Sequence, residues 1–115
     1  MVQEHHATNL HWDFRLEHDG VAVSWAVPKG VPQRRGVRRL AVQVEDHSVE
    51  YMGFSGRIGK GSYGAGKVLI WDQGEYEPEK WEDEKIVFRL HGKKLKGRYA
   101  LIHTGGKNWL IQKTK

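Results

Sequence analysis

From His11 to Glu17 the sequence alternates without a break, with His11, Asp13, Arg15 and Glu17 on one side and Trp12, Phe14 and Leu16 on the other. Successive side chains of a strand point to opposite faces, so strict period-two alternation folds as a half-buried strand. The aromatic and aliphatic side faces a core. The polar side sets an imidazole, a carboxylate and a guanidinium about 7 Å apart at the strand rise per residue. That arrangement suits a site in which His11 and Asp13 hold a metal ion and Arg15 holds the anion the metal attracts. His5, six residues upstream in a stretch without clear period, can fold back as a third ligand. Imidazole and carboxylate together suit Mn, Zn, Fe or Ni, and two His with one Asp leave coordination positions open. A solvent-facing strand of a basic protein shows the same residue types, with Asp13 and Arg15 as a weak surface pair. The pattern alone leaves both readings open.

The rest of the chain reads as more strands. His18-Asp19-Gly20 is a turn, and Val21–Val27 a hairpin partner with Val21, Val23, Trp25 and Val27 on one face. Pro28-Lys29-Gly30-Val31-Pro32 ends it. Arg38 to Asp46 is the next strong strand, with Leu40, Val42 and Val44 directed inward and Arg39, Ala41, Gln43 and Glu45 outward. His47 stands just past its end and Tyr51 four residues on. Gly56 to Gly66 is glycine-rich around Tyr63. A Walker A loop needs Gly-Lys-Ser/Thr opening a helix, but Gly66-Lys67-Val68 opens a strand, so the loop reads as structural. Lys67–Trp71, Ile86–Leu90, Arg98–His103 and Trp109–Gln112 are strands. Glu75 to Lys85, the most polar region, reads as an irregular excursion or one helical turn around Pro78 and Trp81. His91 and His103 fall at a turn and a strand end, as surface histidines.

Six or seven short strands, frequent glycine turns and no amphipathic helix indicate an all-β barrel or sandwich. With 115 residues the chain is long enough for one domain, 1–115, with one modest core. The absence of cysteine removes disulfides and thiolate metal sites. No leader or long apolar run is present, which reads as a cytoplasmic protein with no membrane partner. A net charge of +5, spread along the chain, favours a polyanion, nucleic acid first.

Three motifs together resemble one family. They are His5-x5-His11-x-Asp13-x-Arg15, then Ser24-Trp25-Ala26-Val27-Pro28-Lys29-Gly30, then Arg39-Leu40-Ala41-Val42 running into Glu45-Asp46-His47-x3-Tyr51. In that order they resemble the 3′-phosphoesterase module of bacterial DNA ligase D and its stand-alone archaeal relatives. Tyr63-Gly64-Ala65-Gly66, Ile70-Trp71-Asp72 and Leu90-His91-Gly92-Lys93-Lys94-Leu95-x-Gly97 fit as well, so the resemblance covers essentially the whole chain.

The resemblance implies a compact, mostly antiparallel β-barrel with its active site in a groove on the outer surface. It implies a manganese-dependent enzyme, with zinc or cobalt as substitutes, that heals DNA 3′ ends for ligation. The activities implied are 3′-ribonucleoside phosphodiesterase and 3′-phosphomonoesterase. On the matching positions His5, His11 and Asp13 become metal ligands. Arg15, His47 and Tyr51 become catalytic residues around the scissile phosphate, with Lys29 and Arg39 as further phosphate-binding residues. The implied substrate is a DNA primer-template ending in a 3′-ribonucleotide or 3′-phosphate. The implied partner is a ligase or polymerase of an end-joining pathway, and the implied setting is a nucleoid-associated monomer in a prokaryote.

Gly59 and Ser48 stand where the family commonly has proline. The chain starts almost at the first motif, and an N-terminal arm that helps the monoesterase step in some members precedes it there, so the diesterase step is expected to be the faster. The reading from another class is a basic β-barrel that binds nucleic acid without chemistry. Metal binding dependent on His5, His11 and Asp13 separates the two.

Overall fold

Every pairing between the strands of the described residues is antiparallel, and those strands join into one sheet. The structure, a computed structural model, describes residues 1–50, 56–58 and 66–115. Those residues form β1 (Val2–His6), β2 (Leu10–His18), β3 (Val21–Val27), β4 (Arg38–Ser48) and β5 (Gly56–Ile58). They continue as β6 (Gly66–Asp72), β7 (Gly74–Trp81), β8 (Lys85–Gly92), β9 (Lys96–Gly105) and β10 (Asn108–Lys113). The spatial order is β5-β6-β1-β2-β3-β4-β10-β9-β8-β7.

The all-β expectation holds, with one refinement. Among the described residues the hydrogen-bonded ladder ends at β5 on one side and β7 on the other, so the sheet is rolled without being closed into a barrel. The roll is visible in the core. Phe14 on β2 stacks on Phe88 of β8 at 5.7 Å although four strands separate them in the sheet. Phe88 in turn stacks on Tyr99 at 6.1 Å, and Trp25 meets Trp109 edge-on at 5.8 Å. Such aromatic pairs add to the burial of large apolar surface that holds the roll.

Two polar ties brace it. The Tyr76 hydroxyl on β7 donates to the Glu17 carbonyl on β2. The buried Asp72 carboxylate accepts the backbone N–H groups of Gln73, Lys93, Lys94 and Leu95 at 2.8–3.1 Å. It thereby pins the β8–β9 turn to the end of β6. Gly92 lies so close to that carboxylate that a Cβ there has no room.

The β2–β3 hairpin turns through Asp19 and Gly20, both at positive φ (51° and 83°). That pair of dihedrals follows the right-handed twist of the strands, and asparagine, aspartate and glycine tolerate it best.

Four local expectations need correction. The stretch holding His5 is a regular strand, β1, paired between β2 and β6. Glu75 to Lys85 is mostly strand β7, whose polar character reflects its place at the sheet edge. Pro78 sits there at a register shift, where the missing N–H costs least. The faces of β4 are reversed as well. Ala41 is fully buried in the core, Gln43 accepts the Trp109 indole N–H at 3.1 Å, and Leu40 is 45% exposed. Packing decides this, because Ala41 stands opposite Trp109 and the small side chain makes room for the large one. The strand also runs on to Ser48, so His47 is a strand residue. Among the described residues no helix is long and apolar enough to cross a membrane.

Candidate active site

Burying a charged or polar side chain costs free energy unless it is paired, so the places where this happens are informative. Six polar residues are buried among those described: Gln3, His5, Asp13, Arg15, Ser24 and Asp72. All but Asp72 lie together on β1, β2 and β3. The register explains why. Gln3 stands opposite Asp13, His5 opposite His11, and Arg15 opposite Ser24. Directly opposed residues share a face of the sheet. The alternation of β2 that sends Trp12, Phe14 and Leu16 to the apolar side therefore collects these polar groups on the other.

Asp13 is the hub. Its Oδ2 is 3.3 Å from His5 Nδ1, its Oδ1 is 3.3 Å from His11 Nε2, and the two imidazole rings are 4.7 Å apart. One donor atom from each of the three residues falls within 4.8 Å of the others, close enough to surround a single cation. His11 Nδ1 donates to the Asn9 carbonyl at 3.0 Å, which leaves Nε2 as the atom facing Asp13. A hydrogen bond that fixes one ring nitrogen is how a protein presents the other to a metal.

The electrostatics agree. The hydrogen bond to Asp13 holds the His11 pKa above 6.5, outweighing the burial that opposes it. Burial pushes the Asp13 carboxyl up, but the His11 hydrogen bond and the charges of His11, Arg15 and His5 bring it below the usual carboxylate value. The donor set and its geometry thus fit a divalent metal of the imidazole- and carboxylate-binding kind.

Arg15 is fixed on all sides. Its Nε donates to Gln3 Oε1 at 2.9 Å and one Nη to Ser24 Oγ at 2.6 Å, while its other Nη is 3.7 Å from Asp13 Oδ2. The Ser24 hydroxyl in turn donates a hydrogen bond to the Ala22 carbonyl at 2.9 Å. His47 reaches the same guanidinium from β4, where a register shift sets it opposite Ala22. Its Nδ1 lies 3.0 Å from an Arg15 Nη and 3.0 Å from the Glu45 carbonyl. A guanidinium can only donate and a carbonyl can only accept, so an unprotonated Nδ1 takes the Arg15 contact and a protonated Nδ1 the Glu45 one. Burial, then the Arg15 charge, lower the His47 pKa and favour the neutral imidazole over the imidazolium.

The structure thus brings together His5, His11, Asp13, Arg15 and His47. Lys29 is exposed just after β3. Arg39 donates to the carbonyls of Lys29 and Gly30 at 2.8 and 3.0 Å, and alternates on β4 with the core residue Ala41. Its guanidinium lies beside Trp12 across Gly30, on the apolar side of β2. No described contact joins Lys29 or Arg39 to the cluster. Tyr51 and the loop around Tyr63 lie outside the described residues. Sequence reasoning missed Gln3 as the residue that holds Arg15 Nε. The signal was its spacing of two from His5, which becomes meaningful once β1 is a strand.

The comparisons with known proteins come from the same stretch of chain. The family described as DNA Ligase D 3′-phosphoesterase domain matches residues 3–103. A multifunctional non-homologous end joining DNA repair protein LigD of Mycobacterium tuberculosis is 52% identical over 119 residues, across 100% of this chain and 16% of that protein. The LigD of Mycolicibacterium smegmatis is 52% identical over 126 residues, with the same coverage. That of Pseudomonas aeruginosa is 50% identical over 123 residues, across 99% of this chain and 15% of its own length. The chain spans about a sixth of the length of these relatives.

Proposed function

The chain belongs to the DNA ligase D 3′-phosphoesterase family, and from that premise we propose that it is a metal-dependent phosphoesterase that heals DNA 3′ ends. Its reactions are removal of a 3′-terminal ribonucleoside and of a 3′-phosphate, leaving a hydroxyl that a ligase can use. The observation that carries this reading is the buried network in which His5, His11 and Asp13 converge within 4.8 Å beside the immobilised Arg15 guanidinium. His5, His11 and Asp13 hold the divalent ion, manganese first and zinc or cobalt in its stead. Bound there, such an ion supplies positive charge against the non-bridging phosphate oxygens.

The residues of the chain do the rest. Arg15 adds a planar, permanently charged donor to the same oxygens, in a geometry that requires no reorganisation because Gln3 and Ser24 already hold it. When its Nδ1 accepts from Arg15, His47 carries its proton on Nε2 and offers that N–H to an oxygen of the ester. Tyr51, four residues on, supplies a further donor, and Lys29 and Arg39 contact the phosphate or its flanking nucleotides through their positive charge. No serine among these residues is placed with a base to act as a nucleophile. Ser24 Oγ, the one hydroxyl in the network among the described residues, is committed to Arg15 and the Ala22 carbonyl. Attack by water or by a substrate 2′-hydroxyl therefore fits better than a covalent enzyme intermediate. The names of the relatives place them in non-homologous end joining, so the healed end would pass to a ligase of that pathway.

The experiment is a labelled primer-template whose primer ends in two ribonucleotides, so that a 2′-hydroxyl adjoins the last phosphodiester. Incubated with Mn²⁺ and resolved on a gel, it should lose its terminal nucleoside, and an all-deoxy primer should react far more slowly. A site that hydrogen-bonds a hydroxyl can reject its absence by about 10⁴-fold. Equal rates on the two ends would contradict the ribonucleoside specificity. A protein that binds the duplex but cleaves neither with any divalent metal would be the non-catalytic binding barrel.

A further inference from the structure

The face of the sheet that carries the metal-ligand cluster does not end at Ser24. The row that pairs Gln3 with Asp13 continues through Ala26 on β3 and Val42 on β4 to Asn108 on β10. The next row sets Leu40 on β4 beside Leu110 on β10 and Ile102 on β9, and closes on Lys85 of β8. Ala26, Val42, Leu40, Leu110 and Ile102 thus form a continuous apolar strip on the outer face, one strand away from Asp13. Leu40 is 45% exposed and the other four are half-buried, while their neighbours on the inner face, Ala41, Trp109, Ile111 and Leu101, are almost wholly buried. The strip therefore adds nothing to the core. It extends three inter-strand spacings, about 14 Å. In its own rows the strip is flanked by Asn108, by Lys85 and by Asp13 of the cluster, and in the next row by Arg38 and Gln112.

An apolar strip with cationic neighbours at Arg38 and Lys85, leading to a site for a phosphoester, matches one feature of a DNA end that the interior of a duplex lacks. At an end, the last base pair exposes one unstacked, apolar face, while the phosphates beside it stay charged. We propose that the strip Ala26–Val42–Leu40–Leu110–Ile102 is the platform that receives the exposed face of the terminal base pair, with the 3′ phosphoester directed to the cluster at Asp13. This rests on the phosphoesterase reading and deepens it. The platform makes the site recognise an end rather than a sequence, because every base has an apolar face and aliphatic contact reads no hydrogen-bond pattern.

The test uses fluorescence anisotropy in EDTA, so that binding is measured without cleavage. Two duplexes of equal charge are compared, one with an open end bearing a 3′-phosphate and one whose ends are closed by hairpin loops. The wild-type protein should bind the open end more tightly. Leu40→Gln and Leu110→Gln should each weaken binding to the open duplex by about five- to tenfold. They should leave the hairpin-closed duplex, and the slope of affinity against salt, as they are, since no phosphate contact is lost. Leu40→Phe, which keeps an apolar surface, should retain the preference. Both leucines are on the surface, and unchanged denaturant midpoints will show that the variants are folded.

Equal wild-type affinity for open and closed duplexes would overturn the platform, as would Gln variants that keep the preference. Self-association of the protein that Leu40→Gln abolishes, with end preference intact, would make the strip a protein interface and overturn it too. A wild-type protein that shows end preference but never cleaves would refute the phosphoesterase reading alone. One that cleaves without end preference would refute the platform alone.

Discussion

His5 stands directly opposite His11 across the β1–β2 pair, with the two imidazole rings 4.7 Å apart and the Asp13 carboxylate within 3.3 Å of each. Two candidate ligands six residues apart in sequence thus become neighbours through a short connection between antiparallel strands. The arrangement needs no long loop to be ordered and is built on regular backbone, which holds ligands in place better than a loop does.

Removing any one donor should therefore abolish the site. His5→Ala, His11→Ala and Asp13→Ala should each lower affinity for Mn²⁺ by at least about 10-fold, the lower end of the loss seen for supporting residues alone. Isothermal titration calorimetry measures this directly. A variant that binds Mn²⁺ like the wild type would exclude its residue from the ligand set.

Metal affinity should also depend on pH with a definite sign. His11 has its pKa raised above 6.5 by Asp13, so near and below that value a cation must displace its proton. Affinity should rise with pH and level off once His11 is neutral. Calorimetry in buffers of different ionisation enthalpy at pH 6 should show proton release on binding. No release would place the cation elsewhere.

In the metal-free protein His11 acts on stability in the opposite direction, and its partner Asp13 limits the acid side. A raised His11 pKa contributes stability that is complete below the unfolded value of 6.5 and is lost as pH rises through the folded value. A lowered Asp13 pKa contributes stability that is complete above 3.8 and is lost as pH falls through the folded value. Both contributions are whole only between pH 3.8 and 6.5. His11→Gln should flatten the upper side of that window in urea unfolding followed against pH, and an unchanged profile would show the pair to be ineffective.

Ser24 and Gln3 test whether Arg15 acts through its fixed position. Ser24→Ala removes an acceptor 2.6 Å from an Arg15 Nη without touching a metal ligand. It should lower kcat by about 10-fold or more, in the direction of the 10²–10³ loss expected for removing a transition-state donor outright. Mn²⁺ affinity should remain as in the wild type. Arg15→Lys should not rescue, because an ammonium cannot reproduce the three-way planar contact. A Ser24→Ala enzyme with wild-type kcat would show that Arg15 does not depend on this anchor.

Much of this was legible in the sequence because period-two alternation maps directly onto faces. The run His11–Glu17 fixed both the buried side of β2 and the order of its polar groups. β1 was not legible, since Val2–His6 shows no alternation of apolar and polar residues and the buried positions include the polar Gln3 and His5. The facing of β4 was misread for a related reason. Leu40, Val42 and Val44 look like core residues by hydrophobicity, but Ala41 opposite Trp109 satisfies the packing and leaves the larger aliphatic chains outside. β7 was hidden by its edge position, where charged residues and proline are tolerated. The role of Asp72 depends on a turn 21–23 residues away, which no local pattern reports.

The most direct measurement is the single-turnover cleavage rate of the ribonucleotide-ended primer in EDTA, after addition of Mn²⁺, and again with Asp13→Ala. The expected result is no cleavage in EDTA, rapid cleavage with Mn²⁺, and none by Asp13→Ala even though that variant still binds the duplex. Cleavage that persists undiminished in EDTA, or in Asp13→Ala, would contradict the assignment of this buried cluster as the phosphoesterase centre.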